Sequence, residues 1–307
     1  MIKNAVLFRM SNTAILNLQS LEEALLKQTF TECSPTQELS FGWVPPRGEE
    51  HGALVETING HWIIKMMVES KKVPTDIVTR KLAEACDKIE LESGRKPGKK
   101  QQRDLKEELK FGLLPSVLPK RHTILAWLDN KASILVVDAS SVGKCDLLIS
   151  SLVKATDGIN YTPICTKQSP STGMSEWLLS GNWPMKLAEN RACELKAADD
   201  SKAKVRYDNH CLSIEEIKGH LTTGKVFKSM ALEWNQRVSF TLTDSMILKK
   251  IDVLGSNSEA DSNTAANGDN FDTDVVIATS TLTQTIQDLI ESLGGEAETQ
   301  EQAEAVA

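Results

Sequence analysis

The sequence contains no apolar run that approaches the roughly 20 residues a helix needs to cross a bilayer. Residues 1–10 lack the apolar core and cleavage site of a signal peptide and alternate instead like a strand. Of the 307 residues, 40% are hydrophobic and 25% are charged, as in ordinary globular proteins. We therefore expect a cytoplasmic protein with no membrane partner and with room for several subdomains.

Metal-binding patterns are absent as well. The six cysteines form no C-x-x-C pair, and the five histidines form no H-E-x-x-H motif. Zinc sites need such closely spaced thiolate or imidazole ligands. The cysteines are therefore expected to be free thiols, and the sequence predicts neither a metal nor a cofactor.

Motifs of the large enzyme classes are also missing. The chain has no Walker A loop, no G-x-G-x-x-G and no G-x-S-x-G, so it offers no catalytic residue and no small-molecule substrate site. One nuclease-like pattern occurs, because Glu194 and Lys196 resemble the E-x-K half of a metal-dependent nuclease site. Such a site needs a second carboxylate to share Mg²⁺, and no motif supplies one. A metal-dependent nuclease remains the alternative function, beside an ordinary charged strand.

Positive charge is concentrated in one segment. Residues 93–121 hold nine Lys/Arg and three Asp/Glu, a balance of +6. The whole chain carries −7, so the remaining residues sum to −13. A basic segment in an acidic protein indicates a local contact with a polyanion such as DNA. The competing interpretations are a solvated helix face, which is the usual role of a charge run, and a protein that binds only other proteins.

Hydrophobic periodicity predicts an α+β fold. The Asn59-Gly60 pair is a strong signal for a hairpin. A capping box at Ser20 predicts one helix start, and a last helix is predicted from about Leu282, after a polar loop at 256–274. Alternating patterns predict strands at 2–10, 53–58, 62–68, 123–129, 133–138, 192–198, 203–207, 226–234, 237–243 and 247–254.

The basic segment lies in a predicted helical arm. One helix follows Thr75 and stops at Gly94, and a second covers about 101–111. A turn rich in Pro, Gly, Lys and Arg joins them. An apolar, proline-bracketed segment at 113–119 is expected to form the tip of the arm.

Lysines and arginines of this arm are the candidate DNA ligands, because they bind phosphates without reading bases. The sequence shows no helix-turn-helix or zinc finger, and aromatic residues are only 5%, which argues against base readout and against a stacking platform. Lys225 and Lys228 are weaker candidates outside the arm. Within the arm, the side chains expected to contact the phosphate backbone of duplex DNA are those of Arg95, Lys96, Lys99, Lys100, Arg103, Lys106, Lys110, Lys120 and Arg121.

Several short strings follow one another in an order that spans nearly the whole chain. They lie at 42–46, 114–115, 127–129, 136–140, 176–181, 212–217, 224–226, 232–238 and 288–297. Each string is short, but as a set they are specific. Together they resemble the bacterial recombination-associated protein RdgC family.

The resemblance implies a non-enzymatic, nucleoid-associated protein that binds double-stranded DNA, and also single strands, without sequence preference. It also implies that the protein inhibits recombinase filaments. The subunit is expected to be a horseshoe of antiparallel sheets with packed helices and a projecting helical arm, and two subunits to form a ring-shaped homodimer around DNA. The implied regions are a centre at 1–74 and 122–190, a tip arm at 75–121, a base at 191–295 and an acidic, disordered tail at 296–307. Four apolar residues of the arm are expected either to pack in its core or to contact the partner subunit: Leu113, Leu114, Val117 and Leu118.

Two positions depart from the family pattern. Leu118 stands where the family often carries a phenylalanine at the tip, so the apolar knob is kept but the aromatic ring is lost. Residues 208–211 read Asp-Asn-His-Cys where the family tends to be basic, which argues against a DNA contact at that turn.

Overall fold

Twelve strands and seven α-helices make up the described part of the chain, which comprises residues 2–49, 51–184, 186–199, 203–213, 215–253 and 268–297 of a computed structural model. None of the helices in these ranges is long and apolar enough to cross a membrane. The strands are β1 (Asn4–Ser11), β2 (Leu39–Val44), β3 (Val55–Ile58), β4 (His61–Ser70), β5 (Lys120–Asp129), β6 (Ile134–Val137), β7 (Asn160–Pro163), β8 (Leu187–Ala197), β9 (Lys204–Asp208), β10 (Lys225–Trp234), β11 (Val238–Thr243) and β12 (Leu248–Val253). The helices are α1 (Leu18–Leu26), α2 (Thr75–Ser93), α3 (Lys99–Leu113), α4 (Asp146–Ala155), α5 (Pro170–Ser180), α6 (Glu215–Thr222) and α7 (Gly268–Ser292).

Strand β1 joins the two halves of one sheet. One edge of β1 pairs with β6 along residues 6–9, and its other edge pairs first with β12 at Asn4 and Ala5 and then with β7 at residues 8–11. The order is β2-β4-β5-β6-β1-β12-β11-β10-β8-β9, with β3 beside β4 and β7 beside β1. Every pair between these strands is antiparallel, which confirms the predicted α+β class with an antiparallel sheet.

Side chains of β1 point alternately into two hydrophobic cores. Ala5 and Leu7 belong to one core, and Val6, Phe8 and Met10 belong to the other. Successive side chains of a strand face opposite sides of the sheet, so a strand that is apolar on both sides must be covered on both. The alternation in residues 5–10 therefore places β1 between the two cores, and pairing on both edges places it inside the sheet.

The helices cover the two faces of the sheet unequally. On one face α5, α6 and α7 contribute Trp177, Ile217 and Leu282 to the core that also includes the buried residues of β8, β10, β11 and β12. On the opposite face α1 and α4 contribute Leu21 and Leu148 to a core over β4, β5 and β6. Among the described residues, this second layer does not extend over β8 to β12. We call this uncovered side of β8 to β12 the open face.

The outer edge of β2 is covered by a short piece of chain. The backbone N–H of Phe30 donates to the Trp43 carbonyl at 3.0 Å, and the Trp43 N–H donates to the Gln28 carbonyl at 2.9 Å. Gly42 allows this approach, because a Cβ there would lie 2.5 Å from the Phe30 Cα. A covered edge cannot recruit a strand from another chain.

The predicted hairpin between β3 and β4 is confirmed. Asn59 and Gly60 have φ values of 50° and 81°, as a two-residue turn of this kind requires. The predicted cap at Ser20 is wrong. The side chain of Asn17 accepts from the Gln19 N–H and caps α1, while the Ser20 hydroxyl lies inside the helix and donates to the Asn17 carbonyl.

Helix α7 begins at Gly268, well before the predicted start near Leu282. The expected polar loop at 256–274 is therefore helical in its last part, while residues 254–267 lie outside the described residues. The early turns of α7 are polar, but Arg47 lies over the Phe271 ring and donates to Asp272 at 2.6 Å. These contacts support a helix that its local composition does not predict.

Most of the predicted acidic tail at 296–307 lies outside the described residues, which include only its first two members. Glu296 pairs with Arg9 of β1 and forms an isolated antiparallel bridge with Thr166. The boundaries of the predicted centre, tip and base regions, the horseshoe shape and the ring remain predictions.

Candidate nucleic-acid interface

The arm comprises residues 71–119, between β4 and β5. Ser70 of β4 pairs with Lys120 of β5, so both ends of the arm lie at the same end of the sheet. The 19 residues of α2 extend about 28 Å from this root. The turn at 94–98 that joins α2 to α3 is therefore the free end of the arm. The expectation that 113–119 forms the tip is wrong, because that segment connects α3 to β5 at the root.

The free end carries the densest positive charge in the chain. Residues 95–103 contain five Lys/Arg and no Asp/Glu. All five basic side chains are exposed. The described structure gives one of them an ion pair, Lys96 with Glu90 at 3.6 Å, and both partners are well exposed, so this pair is weak. The members of this group are Arg95, Lys96, Lys99, Lys100 and Arg103.

Helix α3 continues the positive charge toward the root. At about 100° per residue, positions 99, 103, 106 and 110 fall within an arc of roughly 60°. Leu105 and Leu109 lie on a neighbouring arc of α3, and both are half-buried. The predicted shared face of Lys99, Arg103 and Lys106 is therefore confirmed as a stripe along α3.

The stripe ends at a lysine that is already paired. Lys110 Nζ donates to the Glu38 carboxylate at 2.8 Å. Hydrogen bonding and charge from Glu38 raise the pKa of Lys110. Lys110 therefore fastens α3 to the start of β2, which makes it a poorer phosphate ligand than the exposed cations of the free end.

Arg121 stabilises the root of the arm. Its guanidinium donates to Glu69, a residue that is 1% exposed, and to the exposed Glu32, and it lies over the Phe30 ring at 5.8 Å. Donation of hydrogen bonds to Glu69, and next to Glu32, raises the pKa of Arg121. Donation from the Cys33 backbone N–H, followed by Arg121, lowers the pKa of Glu69. Arg121 is thus ion-paired within the subunit although it is exposed, and its neighbour on β5, Lys120, is exposed as well.

The four predicted dimer contacts lie at the root and differ in exposure. Leu114 is 1% exposed and belongs to the interior of the subunit. Leu113 and Val117 are half-buried, while Leu118 is 86% exposed. Leu118 is therefore the member best placed to meet another chain, and contact with a partner stays a prediction.

A second basic surface, missed in the sequence apart from Lys228, lies on the open face. Its centre is a depression of about 560 Å³ between β8 to β12 and the segment before α4. Three carboxylates, of Glu194, Asp208 and Asp244, and four basic side chains line the depression, an excess of one positive charge. Alternation along β9 was the available signal, because cations at every second position share one face. The basic residues of the lining are Arg206, Lys228, Lys249 and Lys250, and Lys196 and Lys204 lie beside it as a cross-strand pair on β8 and β9.

A β-bulge places two consecutive lysines on this face. The register between β11 and β12 shifts between Ser239 and Thr241, and Lys250 has a φ of 51°. In a regular strand Lys249 and Lys250 would point to opposite sides. The bulge lets both line depressions of the open face while Leu248 and Ile251 stay buried.

The two weaker candidates from the sequence lie on β10. Lys225 Nζ lies 3.1 Å from the Nδ1 of His220, and Lys228 Nζ donates to Glu194 at 2.8 Å. Lys228 lowers the pKa of Glu194, and Glu194 in turn raises the pKa of Lys228.

The nuclease-like residues Glu194 and Lys196 both face the open side of β8. Glu194 is paired with Lys228, and Lys196 Nζ donates to Asp244 at 2.5 Å. Across the described residues, no three His, Cys, Asp or Glu side chains cluster closely enough to hold a metal ion. Glu194 and Lys196 are thus each ion-paired on the open face.

Comparison with known proteins decides the family. The family model described as "Putative exonuclease, RdgC" matches residues 1–296. The chain belongs to the RdgC family. The resemblance inferred from short strings is thereby confirmed.

Relatives in the RdgC family align with the chain over almost its full length, and each carries the name "Recombination-associated protein RdgC". The protein of Dechloromonas aromatica is 36% identical over 298 residues, covering 96% of this chain and 97% of its own. That of Herminiimonas arsenicoxydans is 34% identical over 295 residues, covering 96% and 98%. That of Bordetella pertussis is 32% identical over 297 residues, with the same coverage.

Replacing Glu69 by Gln tests the root of the arm. A carboxylate with a lowered pKa in the folded state stabilises the fold above its unfolded pKa, and this contribution is lost as the pH falls through the folded pKa. We expect Glu69→Gln to lower the urea midpoint at pH 7. The difference in urea midpoint between the variant and wild type should become smaller as the pH falls below about 4.3, the usual glutamate pKa. Glu32→Gln is the matched control, because Glu32 is exposed, and its effect should be smaller. A deficit that is independent of pH would mean that Glu69 acts through packing.

Proposed function

We propose that this protein binds double-stranded DNA through its backbone, without sequence preference. The observation that carries the proposal is the run of five exposed basic residues without an acidic one at the free end of the arm. Lysine and arginine that neutralise phosphates release condensed counterions, which supplies affinity independent of sequence. Lysine in particular acts as a flexible point charge, which suits phosphate contacts better than base readout.

The open face supplies a second contact. Its basic residues lie beside small polar residues such as Ser229, Thr241 and Thr243, which leave the lysine side chains accessible to a phosphate backbone. The arm grows from β4 and β5, while the open face lies beyond β1 in the order of the sheet. Two separate basic surfaces on an acidic chain suit a long polyanion held at more than one point.

We further propose that two subunits form a ring around the duplex, with the exposed Leu118 among the contacts between them. Subunits that encircle DNA would be nucleoid-associated and would occupy the duplex that a recombinase filament needs. The printed name of the relatives, a recombination-associated protein, supports a role in recombination. Binding to single strands is a weaker expectation that rests on the same phosphate contacts.

Salt dependence separates the two basic surfaces. Each lost phosphate contact reduces the slope of log affinity against log salt by about 0.9. The triple variant Lys99→Gln, Arg103→Gln, Lys106→Gln should flatten the slope by nearly three units. The double variant Lys249→Gln, Lys250→Gln should flatten it by nearly two. For each variant, the reduction in slope should be the same on duplexes of unrelated sequence. Affinities are measured by fluorescence anisotropy at several salt concentrations.

The control for this series is the triple variant Lys27→Gln, Lys154→Gln, Lys167→Gln. These lysines are exposed and lie on neither basic surface, so the slope should not change. An equal loss in the control and the arm variant would remove the arm from the interface.

Retention on circular DNA tests the ring. Dimers that encircle a duplex should slide off linear DNA at raised salt and stay on a closed circle of the same sequence. The bound fraction is measured after a salt wash, with the mass of the protein determined by light scattering. Equal loss from both substrates would contradict encirclement and leave phosphate binding in place.

An exonuclease is the second candidate, and the description of the family model is the observation that favours it. We expect no Mg²⁺- or Mn²⁺-dependent shortening of end-labelled single- or double-stranded DNA. Shortening that Glu194→Gln abolishes would establish the nuclease, with Glu233→Gln on the neighbouring strand β10 as the control. Shortening that survives Glu194→Gln would indicate another catalytic site or a contaminating nuclease.

A further inference from the structure

Cations of neighbouring strands lie directly opposite each other on the open face. Lys196 of β8 pairs with Lys204 of β9, and like charges in this arrangement destabilise a sheet. On the same two strands Glu194 lies opposite Arg206. A carboxylate among these cations reduces their mutual repulsion. The acidic residues of the open face are therefore a functional part of its basic surface.

Glu194 lies between cations of both strands that flank β8. Its carboxylate accepts a hydrogen bond from Lys228 Nζ of β10 at 2.8 Å, and Lys204 Nζ of β9 lies 3.9 Å away. Arg206 is the cross-strand neighbour of Glu194 on β9. A phosphate bound to a basic surface has the same surroundings, because lysine and arginine side chains are its usual ligands. Glu194 thus occupies a position that suits a phosphate.

Asp244 is held in a similar way at the turn between β11 and β12. Lys196 Nζ donates to one oxygen of its carboxylate at 2.5 Å, and the Ser245 hydroxyl donates to the other oxygen at 3.1 Å. Glu194, and then the charge of Asp244, raise the pKa of Lys228, so Lys228 is influenced by both carboxylates. Positive and negative side chains therefore alternate across the open face in the order Lys196, Asp244, Lys228, Glu194 and Lys204.

The open face carries two kinds of cation. Within the part of the chain that the structure describes, Lys249 and Lys250 line the depressions without an ion pair. The other basic side chains each lie within 4 Å of a carboxylate, and these are Lys196, Lys204, Arg206 and Lys228. A polyanion can contact the first kind directly, but at the second kind it must compete with the protein's own carboxylates.

The ion pairs of Glu194 and Asp244 are open to such competition. The two carboxylate side chains are 24% and 25% exposed, and their lysine partners are 41% and 40% exposed. Ion pairs that reach water contribute little stability. A phosphate of DNA has an advantage over a carboxylate of the protein, because its neutralisation releases counterions condensed on the duplex.

We propose that Glu194 and Asp244 occupy two phosphate sites of the open face in the free protein, and that duplex DNA binds there by displacing them. Lys228 and Lys204 form the first site, and Lys196 forms the second. The carboxylates act as an internal competitor that weakens binding at the open face but not at the free end of the arm. The inference rests on the proposed function, because it requires the open face to contact DNA.

Removal of the competing charges tests the proposal on the full chain. Glu194→Gln and Asp244→Asn each keep the size of the side chain and remove its charge. Each should bind duplex DNA about threefold more tightly than wild type, as expected for the loss of one exposed ion pair. The double variant should bind about tenfold more tightly, since the two sites are nearly additive. Affinity is measured by fluorescence anisotropy at one fixed salt concentration.

The matched control is the double variant Glu23→Gln, Asp157→Asn, which changes the net charge by the same amount. Both residues are exposed and lie on neither basic surface, so the control should bind as wild type does. An equal gain in affinity in the control would overturn the proposal, because net charge alone would then explain the effect. Unchanged affinity in the Glu194 and Asp244 variants would overturn it as well.

A comparison of Lys228→Gln in two backgrounds separates displacement from a general effect of charge. If Glu194 competes with phosphate for Lys228, the loss of Lys228 should cost about threefold more affinity in the Glu194→Gln background than in wild type. Equal costs in the two backgrounds would contradict displacement and leave phosphate binding by the arm in place. Absence of duplex binding by wild type would instead overturn the proposed function, and this proposal with it.

Discussion

The fold depends on one strand that is apolar on both sides. In β1, Ala5 and Leu7 enter one core while Val6, Phe8 and Met10 enter the other. The same strand pairs with β6 on one edge and with β12 and β7 on the other. It therefore joins the two halves of the sheet and separates the two cores. Both faces of such a strand must be covered, because an uncovered face would expose a row of apolar side chains to water.

The unequal distribution of helices around β1 creates the surfaces that matter for function. Helices α5 to α7 bury one side of the sheet, whereas α1 and α4 reach only as far as β1 on the other. The strands beyond β1 therefore keep one side in water, where lysine and arginine replace apolar residues. A bulge at Lys250 increases the positive charge there, at the cost of an unusual backbone conformation. This surface and the free end of the arm are the two proposed contacts with DNA.

A buried carboxylate lies at the root of the arm. Glu69 accepts hydrogen bonds from the Cys33 backbone N–H and from Arg121, and this network ties the arm to the sheet. A buried polar network whose hydrogen bonds are made rigidifies its surroundings.

The sequence by itself determined the local features and the family. The turn at Asn59-Gly60, the two helices of the arm, their basic stripe and the strand meander of β10 to β12 follow from residue preference and periodicity, which act over a few neighbours. Only the tertiary structure decided that 113–119 lies at the root, because this follows from the pairing of Ser70 with Lys120. It also decided that Arg121 is committed to Glu69, that α7 begins at Gly268, and that one side of β8 to β12 is open. These features depend on contacts between residues far apart in the chain. Local sequence patterns do not predict such contacts, because they reflect interactions between near neighbours only.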